Sequence, residues 1–498
     1  MIAREKELFF ERMDELELAL TFDDVRMQTR SGRDYPLPEV LDIQSSFSEN
    51  VGLKVPLVSA AMDTVTTGDM AIAMAKIGGL GVVHGAMSID QQRKEISRVK
   101  NEIHGLIDNP ICVNVYDTID SVLNLCNEKR YDFKTFPVVN AEGKFVGMLT
   151  SDSFKYAKTP SATVAETMTP PDQVMSSKVG TTLNDAYHIM QDHRINTLPI
   201  LTERGEVGGM YLFSDVERIF LDSVQYNVDN NGQLRVAAAV STGKDTLERV
   251  EALSKYVDVV VIDTADGDSY YAFKTLEDIK SVYPDLDVVV GNISDGKSAR
   301  QLAEAGANGI KVGQGPGSIC STRRETGIGM PQVTAVYECV KALGNDFAHI
   351  PVCADGGIKE HGDIPIAFAA GAHSVMMGRM LAGTQEAPGE VFTRGDGSRW
   401  KIYRGMGSAE ALAQNEASRE RYAVNNMDVL LAEGVVARVP FEGSINDVLP
   451  LCVQALRKGM RYCKAPDLTY HRESTLFKRI TNAGLRESYP HDIEALSK

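Results

Sequence analysis

Eight short β-branched runs, mostly separated by stretches of helical pattern, constrain the fold of this chain more than any other feature. They are PLVSAAMD (56–63), GLGVVH (79–84), LRVAAAVS (234–241), VDVVVID (257–263), LDVVVGNIS (286–294), GANGIKVG (306–313), IPVCADGGI (350–358) and AHSVMMGRML (372–381). Helix candidates such as MAIAMAKIG, SIDQQRKEISRVKNE, DTLERVEALSKY, GKSARQLAEAG and PQVTAVYECVKALG lie between them. A strand that is apolar along its whole length has to be covered on both faces, and alternation with helices supplies the cover in a parallel sheet. The expected fold class is therefore α/β, a (β/α)8 TIM barrel.

The rhythm breaks once, where about 130 residues separate the second helix from the third strand. Inside that gap TFPVVNAEGKFVGMLTSD (135–152) returns as TLPILTERGEVGGMYLFSD (197–215), 62 residues later, each copy preceded by a helical stretch. A pair of α/β repeats inserted into a barrel loop accounts for this spacing. The polar segments HGLIDNP and QYNVDNNGQ flank it. The expected domains are a first part of the barrel at 1–104, an inserted module at 105–228 and the rest of the barrel at 229–498. After the eighth strand a long polar, glycine-rich stretch, about 383–445, is expected to be a lid or an active-site wall, with plain disorder as the alternative.

Composition narrows the partners. No apolar stretch approaches the roughly 20 residues of a membrane span. The start, MIAREKELFFERMDELELAL, lacks the apolar core of a signal peptide, so a cytoplasmic location is expected. A net charge of −16 repels polyphosphate backbones and anionic membranes, which excludes nucleic acid and membrane surfaces as expected partners. The seven cysteines are scattered with no C-x-x-C pair, against both a disulfide framework and a zinc site.

Ligands of such a barrel bind at the C-terminal ends of its strands, so the residues ending each run become candidates together. They are Met62 and Asp63, Asp263, Asn292, the loop Gly313 to Cys320, Asp355 with Gly356 and Gly357, and Gly378 with Arg379. In GQGPGSICSTRRETGIG (313–329) a thiol sits among glycines whose backbone N–H groups are open to a ligand, the setting of a nucleophile beside an anion. The D-G-G and G-R after strands seven and eight offer uncrowded N–H groups and a guanidinium for phosphate, and Asp355 can accept from two neighbouring hydroxyls. A ribose phosphate is implied. A small buried cysteine, a helix-capping aspartate and plain glycine turns are the structural alternatives for each position taken alone. Placement of all of them on one barrel face favours a site.

The ordered set GPGSIC, ADGGI, YRGMGS and ASRERY resembles inosine 5′-monophosphate (IMP) dehydrogenase, and ALTFDDV, PLVSAAMDTVT, VVVIDTADG and NAGLRESYPHD extend the likeness nearly end to end. The tandem repeat resembles a pair of CBS domains. The resemblance implies that Cys320 adds to C2 of IMP, that hydride leaves for NAD+, and that the thioimidate is hydrolysed to XMP, with Thr322 and the flap residues Arg421 and Tyr422 serving the water step. It further implies that Met62, Ser318, Asp355, Gly357, Gly378, Arg379, Tyr403, Gly405, Met406, Gly407 and Glu433 bind the substrate. Asp263, Asn292 and Arg323 would meet NAD+. Carbonyls of Gly315, Gly317 and Cys320 would hold a monovalent cation such as K+, completed by Glu487, Ser488 and Tyr489 of a C-terminal segment from a neighbouring subunit. A homotetramer, possibly pairing into octamers, and an adenine or guanine nucleotide at the CBS module follow from the same likeness.

Two departures stand out. Asp266 occupies a place where many members carry histidine, and the repeats end TSD and FSD instead of T-x-x-D, the pattern that usually binds a nucleotide ribose. The nearest rival is GMP reductase, which shares the cysteine loop and runs hydride from NADPH onto GMP with loss of ammonia. The Arg421–Tyr422 pair and the inserted repeat weigh against it. A catalytically inactive nucleotide-sensing scaffold is the rival from another class, and the intact Cys320, Thr322, Arg421 and Tyr422 weigh against that.

Overall fold

The computed structural model describes residues 2–31, 37–103, 105–129, 134–155, 157–222, 224–423 and 430–493. His104 at the expected domain boundary and 424–429 of the expected flap lie outside the described residues. The chain divides into two compact units, one made of Met1–Lys100, Gln225–Asn227 and Leu234–Lys498, the other of Asn101–Val224 and Val228–Gln233.

Each of the eight runs contributes one strand to a closed parallel barrel in the first unit. The strands are β1 Leu57–Ser59, β2 Leu80–Val83, β3 Ala237–Val240, β4 Val259–Asp263, β5 Asp287–Ile293, β6 Gly309–Val312, β7 Val352–Asp355 and β8 Ser374–Met377. Sequential neighbours pair in parallel, and β8 closes on β1 with Met376 opposite Val58. Burial on both faces explains the unbroken apolar character, for Val259, Val260, Val261 and Ile262 are all fully buried. The covering helices are α1 Gly68–Lys76, α2 Ile89–Asn101, α3 Thr246–Leu253, α4 Tyr270–Val282, α5 Gly296–Glu304, α6 Gln332–Leu343, α7 Asp363–Ala370 and α8 Ile445–Cys463. Helix α7 is buried all round because α6 and α8 both pack on it.

The N-terminal end of the barrel is plugged. A hairpin, Ser45–Ser48 with Val51–Leu53, places the fully buried Phe47 in one apolar cluster with Val58, Leu80, Val259, Val289 and Met376. Ser48 Oγ donates to Asp287 Oδ2 at the start of β5, and the N–H of Glu49 donates to the carbonyl of Asn308 just before β6. With that end closed, ligands are left the C-terminal end.

The stretch read from sequence as a glycine-rich lid is more structured than its composition suggests. It contains an antiparallel sheet of Phe392–Thr393, β9 Arg399–Arg404 and β10 Val436–Pro440, and two short helices, Ala409–Gln414 and Glu416–Arg421. In RWKIYR the usual rule is inverted: Lys401 is 1% exposed and donates to the carbonyls of Thr384 and Ala387. A lysine turned inward to cap carbonyls hides the period-2 signal of a strand.

In the second unit each copy of the repeat folds alike. Phe136–Val139 pairs antiparallel with Phe145–Leu149, and Thr197–Leu201 with Val207–Leu212, preceded by helices Ile119–Lys129 and Leu183–His193. The unit contains its own cavity of about 260 Å³, lined by Leu106, Thr181, Thr182, Tyr211 and Asn231 among others.

Candidate active site

A cavity of about 360 Å³ opens where β4 to β8 and β1 end. Its floor is the loop after β6. Gly313 must be glycine, since a Cβ there would run into the main chain of Asp355, and at Gly315, with φ +77°, one would sit 2.6 Å from Cγ of Arg323. These tight passages bring the loop back under the cavity and set Cys320 in its wall.

Cys320 Sγ lies 3.2 Å from Thr322 Oγ1, and Thr322 Oγ1 donates to Glu433 Oε2 at 2.7 Å. Glu433 is held there by its backbone, which accepts from the N–H of Ser321 and donates to the carbonyl of Gly407. A thiol, a hydroxyl and a carboxylate thus form one chain joining the β6 loop to the segment before β10. Such a chain can move a proton between the thiol's surroundings and the carboxylate.

Toward β7 and β8 the lining turns to anion chemistry. Arg379 lines the cavity and makes no ion pair among the described residues. Tyr403 comes from β9 to sit beside Gly378, where a Cβ would lie 2.6 Å from its hydroxyl. Burial, with the Asp355 charge adding to it, pushes that phenol well above the ordinary tyrosine value, so it stays a neutral donor.

On the β4 and β5 side Asp263 forms an ion pair with Arg421. The short helix carrying Arg421 is anchored by its carbonyl, which accepts from the N–H of Ala265 at 3.0 Å, and by Glu420, which accepts from Ser241 Oγ. Burial raises the Glu420 carboxyl above its ordinary value. Tyr422 lies over Gly407, where a Cβ would be 2.7 Å from the ring. Its phenol is raised by burial, which Arg421 partly offsets, and Cys320 and Glu433 line the same cavity.

The structure therefore gathers Cys320, Thr322, Arg421, Tyr422, Met62, Ser318, Asp355, Gly357, Gly378, Arg379, Tyr403, Gly405, Met406, Glu433, Asp263, Asn292, Gly315 and Gly317 around one cavity. Gly407 is covered by Tyr422 instead of lining it. Arg323, expected at the cofactor, is not among the lining residues. Its guanidinium donates to the carbonyls of Gln314 and Met330, and its stem fits against Gly315 and Gly329, so it braces the cysteine loop. Glu487, Ser488 and Tyr489, at the end of helix Asn482–Glu487, do not line the cavity of their own chain.

Sequence reasoning passed over Lys311. It lies in the middle of β6, 1% exposed, and donates to Asp263 Oδ1 at 2.8 Å, Asp355 Oδ2 at 3.0 Å and Asn292 Oδ1. The available signal was a single charge inside an otherwise apolar strand run, GANGIKVG. Among the described residues no group of three or more His, Cys, Asp or Glu could hold a metal, and no helix is long and apolar enough to cross a membrane.

The family described as the IMP dehydrogenase / GMP reductase domain matches residues 19–491. An inosine-5′-monophosphate dehydrogenase of Halalkalibacterium halodurans is 41% identical over 480 residues, 95% of this chain and 96% of that protein. One from Aquifex aeolicus is 40% identical over 480 residues, with 95% and 96% covered. Among solved structures, a GMP reductase variant of Trypanosoma brucei in complex with guanosine 5′-monophosphate superposes with a TM-score of 0.77 at 35% identity, covering 96% of this chain and 98% of that one.

Proposed function

The chain belongs to the IMP dehydrogenase and GMP reductase family of oxidoreductases, and on that premise we propose that it oxidises IMP to XMP with NAD+. The observation that carries the reading is the Arg421–Tyr422 pair, held at Asp263 and beside Gly407 next to the thiol, since hydrolysis of a covalent intermediate needs a group to activate water and reduction does not.

Cys320 Sγ, as thiolate, attacks C2 of the hypoxanthine, and the C2 hydride leaves with its electron pair. NAD+, when bound, is the acceptor of that hydride, and Asp263 at the cavity wall suits the diol of its ribose. The resulting thioimidate joins Sγ to C2. Water then adds to C2, its proton passing to the group formed by Arg421, Tyr422, Thr322 and Glu433, and the C2–Sγ bond breaks to give XMP and the free thiol. Arg379, the N–H groups at Gly357 and Gly378, Ser318 and the neutral Tyr403 hold the phosphate, and Asp355 accepts from the ribose hydroxyls. Because Arg421 pairs with the same Asp263 that would receive the cofactor ribose, the flap and the cofactor exclude each other, so water reaches the intermediate only after NADH has gone.

For the cation, the carbonyls of Gly315 and Cys320 accept no hydrogen bond from the described residues, whereas that of Gly317 accepts from the N–H of Cys320 at 3.0 Å. Two free carbonyls out of three suit a weakly bound ion such as K+. Glu487, Ser488 and Tyr489 do not line their own cavity, which is compatible with their completing the site of a neighbouring subunit in a homo-oligomer such as a tetramer in the cytoplasm. The inserted unit, read as a tandem CBS module, has a cavity with hydroxyl, amide and aromatic lining that suits an adenine or guanine nucleotide.

A second reading is GMP reduction with NADPH. The structural neighbour that carries that name matches this chain over 98% of its length, so the inserted unit does not separate the two activities. Absorbance at the nicotinamide band separates them. With purified protein and K+, IMP plus NAD+ should yield NADH and XMP, and GMP plus NADPH should give no change; the reverse pattern refutes the dehydrogenase.

A further inference from the structure

Lys311 does more than fill the barrel. A buried ammonium is tolerated only where its donors are satisfied, and the three N–H groups of Lys311 meet three oxygens from three different strand ends, Asp263, Asn292 and Asp355. Lys311 is itself 1% exposed, so these oxygens rather than bulk water satisfy it. Room for its stem comes from Gly291 on the adjacent strand, where a Cβ would lie 2.6 Å from that of Lys311.

The oxygens it takes are as informative as those it leaves. Asp355 gives Oδ2 to Lys311 and to Asn292 Nδ2, at 3.0 and 2.9 Å, while its Oδ1 receives no hydrogen bond from the described residues. Asp263 gives Oδ1 to Lys311 and keeps Oδ2 for Arg421. Each carboxylate is therefore pinned to Lys311 by one oxygen; the other oxygen of Asp355 is open to the cavity, and that of Asp263 is held by Arg421, whose departure would release it. Asn292, whose Nδ2 also donates to the carbonyl of Gly313 at 2.7 Å, ties the same cluster to the cysteine loop.

We propose that Lys311 is a positioning residue that sets both ribose-binding carboxylates at once, so that the substrate side at Asp355 and the cofactor side at Asp263 are aimed by a single buried ammonium. The proposal rests on the reading of those two carboxylates given above. Without the ammonium, two carboxylates share a water-poor space with no charge between them, and each turns or takes up a proton.

The test compares Lys311→Met with Lys311→Arg in steady-state kinetics with IMP and NAD+. The expected result is that Lys311→Met raises KM for both IMP and NAD+ by about ten-fold or more, while Lys311→Arg, which keeps charge and donors, recovers most of the loss. A fall in kcat with both KM values unchanged, or a rise in only one KM, overturns the proposal, since a merely structural lysine would give the first and a one-sided contact the second. If Lys311→Met gives no folded protein, Asp263→Asn replaces it: a rise in KM for IMP from this cofactor-side change supports the shared ammonium, and an unchanged KM for IMP overturns it. Turnover of the unaltered protein is measured first. Should it use GMP and NADPH instead, the reaction assignment falls, and the Lys311 comparison is read with that pair by the same two-KM criterion.

Discussion

Gly243→Ala tests the closing of the site from a position outside the reacting groups. Gly243 follows β3, and a Cβ there would fall inside the van der Waals envelope of the Glu420 carboxylate, which would have to leave Ser241. Glu420 directly precedes Arg421 on the same short helix, so the change loosens the anchor of Arg421 without touching its guanidinium. A hydrogen bond to a charged group is worth about 1.5–3 kcal/mol, so the docked helix should lose about ten- to a hundred-fold in population against the undocked one. In the proposed reaction the first turnover, through NADH formation, does not need the docked helix, whereas hydrolysis does. Stopped-flow absorbance should therefore show a burst of NADH at the unaltered rate followed by a steady state slowed by about ten-fold or more. KM for NAD+ should fall at the same time, because Arg421 leaves Asp263 free more often. Glu420→Gln, which retains an acceptor for Ser241, should give a milder version. A burst and steady state that slow together, or a KM for NAD+ that rises, would refute the idea that the helix and the cofactor compete for Asp263.

Three further outcomes follow from the geometry. Cys320→Ala should abolish NADH formation yet still bind IMP by calorimetry, because the phosphate and ribose contacts lie elsewhere in the cavity; turnover within about a hundred-fold of the unaltered protein would remove the thiol from the mechanism. His84 and His471, 5% and 0% exposed, are both lowered by burial from the ordinary 6.5 to about 4, so they stay neutral in the fold and take up protons only on unfolding. Between pH 6.5 and about 4 the unfolded chain then binds more protons, and stability should fall by about 2 kcal/mol for each histidine between pH 8 and pH 5, read as a drop in the thermal midpoint that His471→Gln makes smaller. Phe47→Ala should cost about 3–5 kcal/mol by opening a void at the plugged end of the barrel, with KM for IMP unchanged since the cavity is at the other end.

How much of this was readable from the amino-acid order follows from which interactions are local. The eight barrel strands were readable because a strand buried on both faces writes an unbroken β-branched run, and the repeat in the second unit was readable because two copies of one sequence fold alike. Strand-end chemistry was readable too, since a barrel of this topology puts the ends of β4 to β8 on one face whatever lies between them. What stayed hidden depends on partners far away in sequence. The strand around Lys401 went unread because the carbonyls of Thr384 and Ala387, which hold the lysine inside, lie outside the strand itself. The resemblance implied a cofactor role for Arg323, whereas the bonds of its guanidinium to the carbonyls of Gln314 and Met330, which brace the cysteine loop, had no local mark. The grip of Glu420 on Ser241, 179 residues apart, has no mark in either segment.

Sequence by itself determined the barrel, the thiol loop and the residue types at the strand ends, because each is carried by side chains within a few positions of one another. Tertiary structure decided which partners those side chains meet. The two carboxylates of Asp263 and Asp355 are 92 residues apart, and only the closed barrel, with Lys311 inside it, brings them to one ammonium at 2.8 and 3.0 Å. The physical reason is that a charge buried away from water takes its meaning from whichever groups surround it, and those are chosen by the fold.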